Sequence, residues 1–213
     1  MESQAQLSPG TPRFDFDSGN LALDFANTAE WHASHEPVEH LPAYADLVAW
    51  GAEAGLLAGE QAAGLLAAAR RQSAAAGAWL GRAIELREVL YRIFAAAAGE
   101  QPAPPEDVDA LTAFWRELAQ RTRLEVSPGG LGFRLEELPA DPLAMLWPVV
   151  RAAVDLLASP QLARIGQCAD DRGCGWLFID TTRNRSRRWC SMESCGNRAK
   201  AQRHYGRVRA QGA

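Results

Sequence analysis

Two short stretches decide the reading of this chain: Cys168-Ala-Asp-Asp-Arg-Gly-Cys174 and Cys190-Ser-Met-Glu-Ser-Cys195. They hold all four cysteines of the 213 residues, as a Cys-x5-Cys and a Cys-x4-Cys pair with fifteen residues between them. Two ligand pairs on a connecting hairpin are what a tetrahedral Zn²⁺ site requires, because four thiolates must converge on one point about 2.3 Å away. Disulfides or core thiols are the alternatives, and in a reducing compartment clustered cysteines act as metal ligands. We therefore expect one structural Zn²⁺ held by Cys168, Cys174, Cys190 and Cys195.

Working outward, Trp176-Leu-Phe-Ile-Asp180 carries the strongest strand signal in the chain, with Thr181–Asn184 as a turn and Ser186–Trp189 as the return strand. After Cys195 the period becomes helical. Ala201, Tyr205 and Val208 form one narrow stripe, read as a packed face. Lys200, Arg203 and Arg207 fall within about 60° of one another on the opposite side. A hairpin followed by a helix entered at the last ligand predicts a treble-clef-like zinc finger over residues 160–213.

Charge separates that segment from the rest. Residues 1–159 carry 11 basic and 22 acidic side chains, whereas residues 160–213 carry 11 basic and 4 acidic. An acidic body with a basic end points to nucleic acid. Arg183, Arg185, Arg187 and Arg188 around the hairpin turn, with Lys200, Arg203 and Arg207 on the helix, are the candidate phosphate contacts. The competing readings are a solvated helix face, or a surface that docks on the acidic part of the chain. Arg198 falls nearer the packed stripe and is expected to be structural, bonding Asp180 or backbone carbonyls.

Residues 1–12 read as a disordered leader without signal-peptide order. Arg13–Asp17 alternates as a strand, and Asn20 caps a helix from Leu21. A polar loop with His32, His35 and His40 follows; its spacing fits no standard metal motif. Helices are predicted from Tyr44, from Gly59, through Trp79–Phe94 to Gly99, and over Glu106–Gln120. Arg123–Val126 and Leu131–Leu135 form a hairpin around Ser127-Pro-Gly-Gly130, with the Phe14–Asp17 strand as its third partner. A last helix runs from Asp141 to Ala158, bent or begun afresh at Pro148, and Ser159-Pro160 marks the domain boundary. The fold class is α+β: a mainly helical domain over residues 13–159 with a small antiparallel sheet, then the finger. Asp24, Asn27 and Thr28 either line a ligand pocket or cap the local helix and loop.

The run from Cys174 to Asp180, then Arg187-Arg-Trp-Cys190, then Cys195-Gly-Asn-Arg198 resembles the CGNR zinc-finger family. Gly19-Asn-Leu-Ala-Leu-Asp-Phe-Ala-Asn27-Thr28 looks like the opening of the ABATE domain that this family usually carries. The resemblance covers essentially the whole chain. It implies a bacterial, stress-induced transcription regulator whose finger binds DNA and whose metal ligands are the four cysteines.

No catalytic constellation, phosphate loop or dinucleotide fingerprint is present, so no enzyme is expected and no residue is assigned a catalytic role. No apolar run is long enough to span a membrane, and the expected location is the cytoplasm. The expected partners are double-stranded DNA, a small-molecule ligand of the N-terminal domain, and a second copy in a homodimer. The alternatives are a protein-interaction module and an RNA-binding factor using the same basic finger.

Overall fold

Asn20 starts the first helix as predicted: its side chain accepts the Ala22 amide at 2.8 Å, and α1 runs over Leu21–Ala26. In the computed structural model, which describes residues 13–127, 130–135 and 142–211, α1 is almost wholly buried. It lies between α4 (Ser73–Ala98) and α6 (Trp147–Leu157). Around α4 pack α2 (Tyr44–Glu53), α3 (Gly59–Arg71) and α5 (Pro105–Ala119). Central placement explains why α4 buries Leu86, Val89, Leu90, Tyr91, Ile93 and Phe94 rather than a single narrow stripe. The 1–12 leader lies outside the described residues.

The small sheets differ from expectation. Three separate two-stranded antiparallel sheets form: β1 (Ala29–Glu30) with β2 (Val38–Glu39), β3 (Thr122–Ser127) with β4 (Gly130–Leu135), and β5 (Ile165–Gln167) with β6 (Leu177–Ile179). The expected third strand at Phe14–Asp17 does not form. Its backbone donors go elsewhere: the Arg13 and Phe14 amides reach the Glu53 carboxylate at 3.0 and 3.3 Å, and the Phe14 ring enters the core. The 13–17 segment is thus pinned to α2. The last helix also starts later than predicted. A 3₁₀ turn covers Ala144–Leu146, α6 begins at Trp147, and Pro148 sits in its first turn, where its missing N–H costs nothing.

The finger's hairpin is formed by other segments than the sequence suggested. Leu177–Ile179 pairs with Ile165–Gln167, not with Ser186–Trp189. The return segment instead folds back on itself, because the Arg187 guanidinium donates to the Trp189 and Cys190 carbonyls at 3.2 and 2.5 Å. The β5–β6 pair contributes Ile165, Leu177 and Ile179 to the same core as α1, α4 and α6. Gly166 lies under the Phe178 ring; a Cβ there would meet ring carbons at 2.6 Å, so only glycine fits.

Candidate metal centre and basic face

The four ligands come from four different local structures. Cys168 follows β5, Cys174 precedes β6, Cys190 ends the return segment, and Cys195 lies in a single π-turn, Met192–Gly196, that leads into α7 (Asn197–Gln211). All four sulfur atoms lie within 4.8 Å of one another; Cys174–Cys190 are 3.8 Å apart and Cys190–Cys195 3.6 Å. Sulfurs bound tetrahedrally at about 2.3 Å lie about 3.8 Å apart, so this set fits one Zn²⁺. Among the described residues no other group of His, Cys, Asp or Glu meets this condition.

Without a cation the four thiols cannot all ionise. Hydrogen bonds from Cys174 and Cys190 hold the Cys168 thiol far below its ordinary value. The bond with Cys168 in turn pushes the Cys174 and Cys190 thiols up, while burial raises Cys195. Four thiolates this close repel; a divalent cation among them removes the conflict and keeps all four ionised. Four thiolates also fill a tetrahedral ion, so its role is structural.

The residues after Cys195 each have a local task. A Cβ at Gly196 would meet the Met192 sulfur at 2.8 Å. The Asn197 side-chain amide donates to the Glu193 carbonyl at 3.3 Å, across the π-turn. The Arg198 guanidinium donates to the Cys195 sulfur and to the Asp170 carboxylate, both at 3.0 Å. Arg198 is therefore structural, as expected, but its acidic partner is Asp170 rather than Asp180. Burial raises the Asp170 carboxyl, yet the Arg172 amide and Arg198 outweigh it and hold it below the usual range. Asp180 closes the loop instead, accepting the Thr182 and Arg187 amides at 2.8 and 2.9 Å.

The basic residues divide into two groups. Arg183, Arg185, Arg188, Lys200 and Arg203 are exposed. Arg188 and Arg203 both lie over Trp189, at 5.2 and 5.7 Å. Arg187 is half-buried, stacked on Phe178 at 4.2 Å, with its donors on backbone carbonyls. The side chain of Arg207 lies outside the described residues. Of the Ala201/Tyr205/Val208 stripe, expected as a packed face, Ala201 is exposed and Tyr205 is 69% exposed, while the Val208 side chain is outside the described residues. At the start of α7, Arg198 and Ala199 are partly buried, next to the buried Gly196 of the π-turn.

Asp24, Asn27 and Thr28 are all buried. Asp24 accepts the Ser18 amide at 3.1 Å, Thr28 donates to the Phe25 carbonyl at 2.8 Å, and Asn27 pairs with Leu177. Burial raises the Asp24 carboxyl against those bonds from Ser18. A separate apolar groove of about 440 Å³ is lined by Ile93, Val108, Leu111, Trp115, Val154 and Leu157.

Sequence reasoning missed the N-terminal side of the metal centre. Trp31 packs against the cysteine cluster, with the guanidiniums of Arg172 and Arg198 over its ring at 4.8 and 5.2 Å. Tyr91 donates its hydroxyl to the Gly175 carbonyl at 3.1 Å and accepts from Gln167 at 2.8 Å. Burial pushes that hydroxyl up to about 12, so it stays a donor. His32, expected in a solvated loop, is partly buried: it stacks on Tyr91 at 3.5 Å and bonds Glu88 at 2.8 Å. The available signal was Gly173-Cys-Gly175, two glycines flanking a ligand. Both have positive φ, and a Cβ on either would strike Ala33.

A four-thiolate centre joined to a helical domain defines a zinc-finger protein with a larger N-terminal partner domain. The sequence model of ABATE, described as "Putative stress-induced transcription regulator", matches residues 19–160, and that of the CGNR zinc finger matches residues 164–208. The chain belongs to the ABATE family and ends in a CGNR zinc finger. No curated protein matches it. Neither family is described as an enzyme, and among the described residues no helix is long and apolar enough to cross a membrane.

Proposed function

We propose that this protein is a DNA-binding transcription regulator, in which the finger from residue 160 contacts duplex DNA. The N-terminal domain, residues 13–159, would sense a small molecule or mediate assembly, and no catalytic step is assigned. The observation that carries the reading is the set of exposed cations Arg183, Arg185, Arg188, Lys200 and Arg203 on a segment with 11 basic and 4 acidic residues. The alternative of a basic face docked on the acidic domain is less well supported. The finger meets that domain through β5–β6, Gly173, Gly175 and Arg198, leaving those five cations exposed. For the sensing role, the apolar groove between α4, α5 and α6 is a candidate, since the polar atoms of Asp24, Asn27 and Thr28 serve internal bonds.

Fluorescence anisotropy of the zinc-loaded chain with mixed-sequence duplex DNA over a salt series tests this. Each phosphate neutralised contributes about −0.9 to the slope of log K against log salt. Absence of binding at low salt would refute the DNA reading. Tighter binding of RNA than of DNA in competition would replace it with the RNA-binding alternative.

A further inference from the structure

The metal ligands all lie within the finger, yet one wall of their surroundings comes from the other domain. Trp31, twelve residues after the start of the ABATE match and 137 residues before the first ligand, packs on the cysteine cluster. Its ring is flanked by two arginines of the finger, and one of them, Arg198, donates to the Cys195 sulfur. The turn that carries Trp31 is closed by a bond from the Ser34 amide to the Trp31 carbonyl at 2.8 Å. Trp31 itself holds a left-handed backbone, φ 55°, which a tryptophan adopts only when its surroundings impose it. Those surroundings are the ligand loop: Gly173 and Gly175 sit so close to Ala33 and Ser34 that no side chain fits between.

We infer that the Trp31–Ser34 turn of the N-terminal domain is a lid on the zinc centre that controls how fast the ion leaves. Release requires a thiolate to detach and an incoming ligand or proton to reach it. The Trp31 ring, with Arg172 and Arg198 beside it, covers one approach to the cluster and holds Arg198 on Cys195. A cleft of about 200 Å³ opens beside it, lined by Asp15, Asp17, Glu30 and Trp31 on one wall and by Cys174, Cys190 and Cys195 on the other. Any ligand or partner that moves this turn changes the residence time of the metal, so finger and domain are linked through the ion. The inference concerns the metal site alone and does not depend on DNA binding.

The experiment is zinc release from the full-length, zinc-loaded protein into an excess of a chromophoric chelator, followed by absorbance. Neighbours of metal ligands typically alter affinity by about 10–100-fold. Trp31→Ala is expected to release zinc at least about ten-fold faster, Trp31→Phe to retain most of the protection, and Trp79→Ala, a tryptophan packed on Tyr44, to match wild type. A folded Trp31→Ala protein releasing zinc at the wild-type rate overturns the lid. Should Trp31→Ala fail to fold, hydrogen exchange of the wild-type chain decides. The Ser34 amide is expected to lose protection when zinc is stripped, and unchanged protection there overturns the inference.

Discussion

The side chain of Asn27 pairs with both backbone groups of Leu177, 150 residues away: its amide donates to the Leu177 carbonyl and its carbonyl accepts the Leu177 amide, each at 2.9 Å. An asparagine here completes the ladder of β6, whose other edge is taken by β5. The Ile179 amide, two residues on, donates to the Ser18 carbonyl at 2.8 Å. The finger's hairpin is thus hydrogen-bonded into the N-terminal domain through Leu177 and the Ile179 amide on the free edge of β6.

Replacing Asn27 by Ala should therefore cost more than an ordinary buried polar deletion. It leaves one N–H and one C=O of Leu177 unpaired in a region closed to water, each worth about 1–3 kcal/mol. The expected loss is roughly 2–4 kcal/mol in urea denaturation. Asn27→Asp, which keeps the acceptor but cannot donate and brings a buried charge, should be no better. A loss under about 0.5 kcal/mol would show that the pairing adds nothing net.

Removing zinc should unfold the finger unevenly. Small fingers take about 10–16 kcal/mol of apparent folding free energy from the metal and unfold without it. Here β5 and β6 belong to the main core through Ile165, Leu177 and Ile179, whereas residues 190–200 are held mainly by the ligand cluster. In chelator-treated protein the Leu177 and Ile179 amides should keep their exchange protection, and those of Gly196 and the first turn of α7 should lose it. Hydrogen exchange read by mass spectrometry distinguishes this from collapse of the finger as a unit.

The arginines near the finger's turn should split into two phenotypes. Arg188→Gln and Arg203→Gln, at exposed positions, should leave the melting temperature nearly unchanged and each reduce the salt slope of DNA binding by about 1. Arg187→Gln removes the stack on Phe178 and the donors to the Trp189 and Cys190 carbonyls, so it should lower stability and zinc affinity. Circular dichroism melts beside anisotropy titrations check both. Equal stability losses in all three variants would mean that the exposed pair is structural too.

These contrasts show where the sequence was legible. Helices α1 to α5 and the β3–β4 hairpin follow from local period and punctuation, and the cysteine spacing led to the metal cluster, because those signals are short-range. What was missed is long-range. Asn27 meets Leu177, Trp31 meets Arg198, and Tyr91 meets Gly175, and no periodicity announces a partner 84 to 167 positions away. The choice of Ile165–Gln167 over Ser186–Trp189 as the partner of β6 was likewise hidden. Both segments are short, and the decision rests on where Arg187 sends its donors. Similarly, the apolar stripe of α7 is real as a pattern, yet Ala201 is exposed and Tyr205 is 69% exposed, so period alone did not report burial there.

Stability against acid should be set largely by one buried cation. Arg87 is 4% exposed and bonds both oxygens of Glu39, at 2.6 and 2.7 Å, and Glu88 at 2.9 Å. Burial raises both carboxyls, but the bonds from Arg87 to Glu39, and from His32 and Arg87 to Glu88, outweigh it and hold both below their ordinary value of 4.5. With folded values depressed, the stabilisation is complete above pH 4.5 and is lost as pH falls through the lowered folded values. The chain should accordingly melt at progressively lower temperature below that pH. Glu39→Gln should cost about 2 kcal/mol at neutral pH, below the 3–5 kcal/mol of a fully buried pair because the Glu39 carboxylate is partly exposed to solvent. The same variant should flatten the acid limb, since one of the two depressed carboxyls is gone. An acid limb as steep in Glu39→Gln as in wild type would place the acid sensitivity elsewhere, with Asp180, whose carboxyl its loop amides hold low despite burial, the next group to replace.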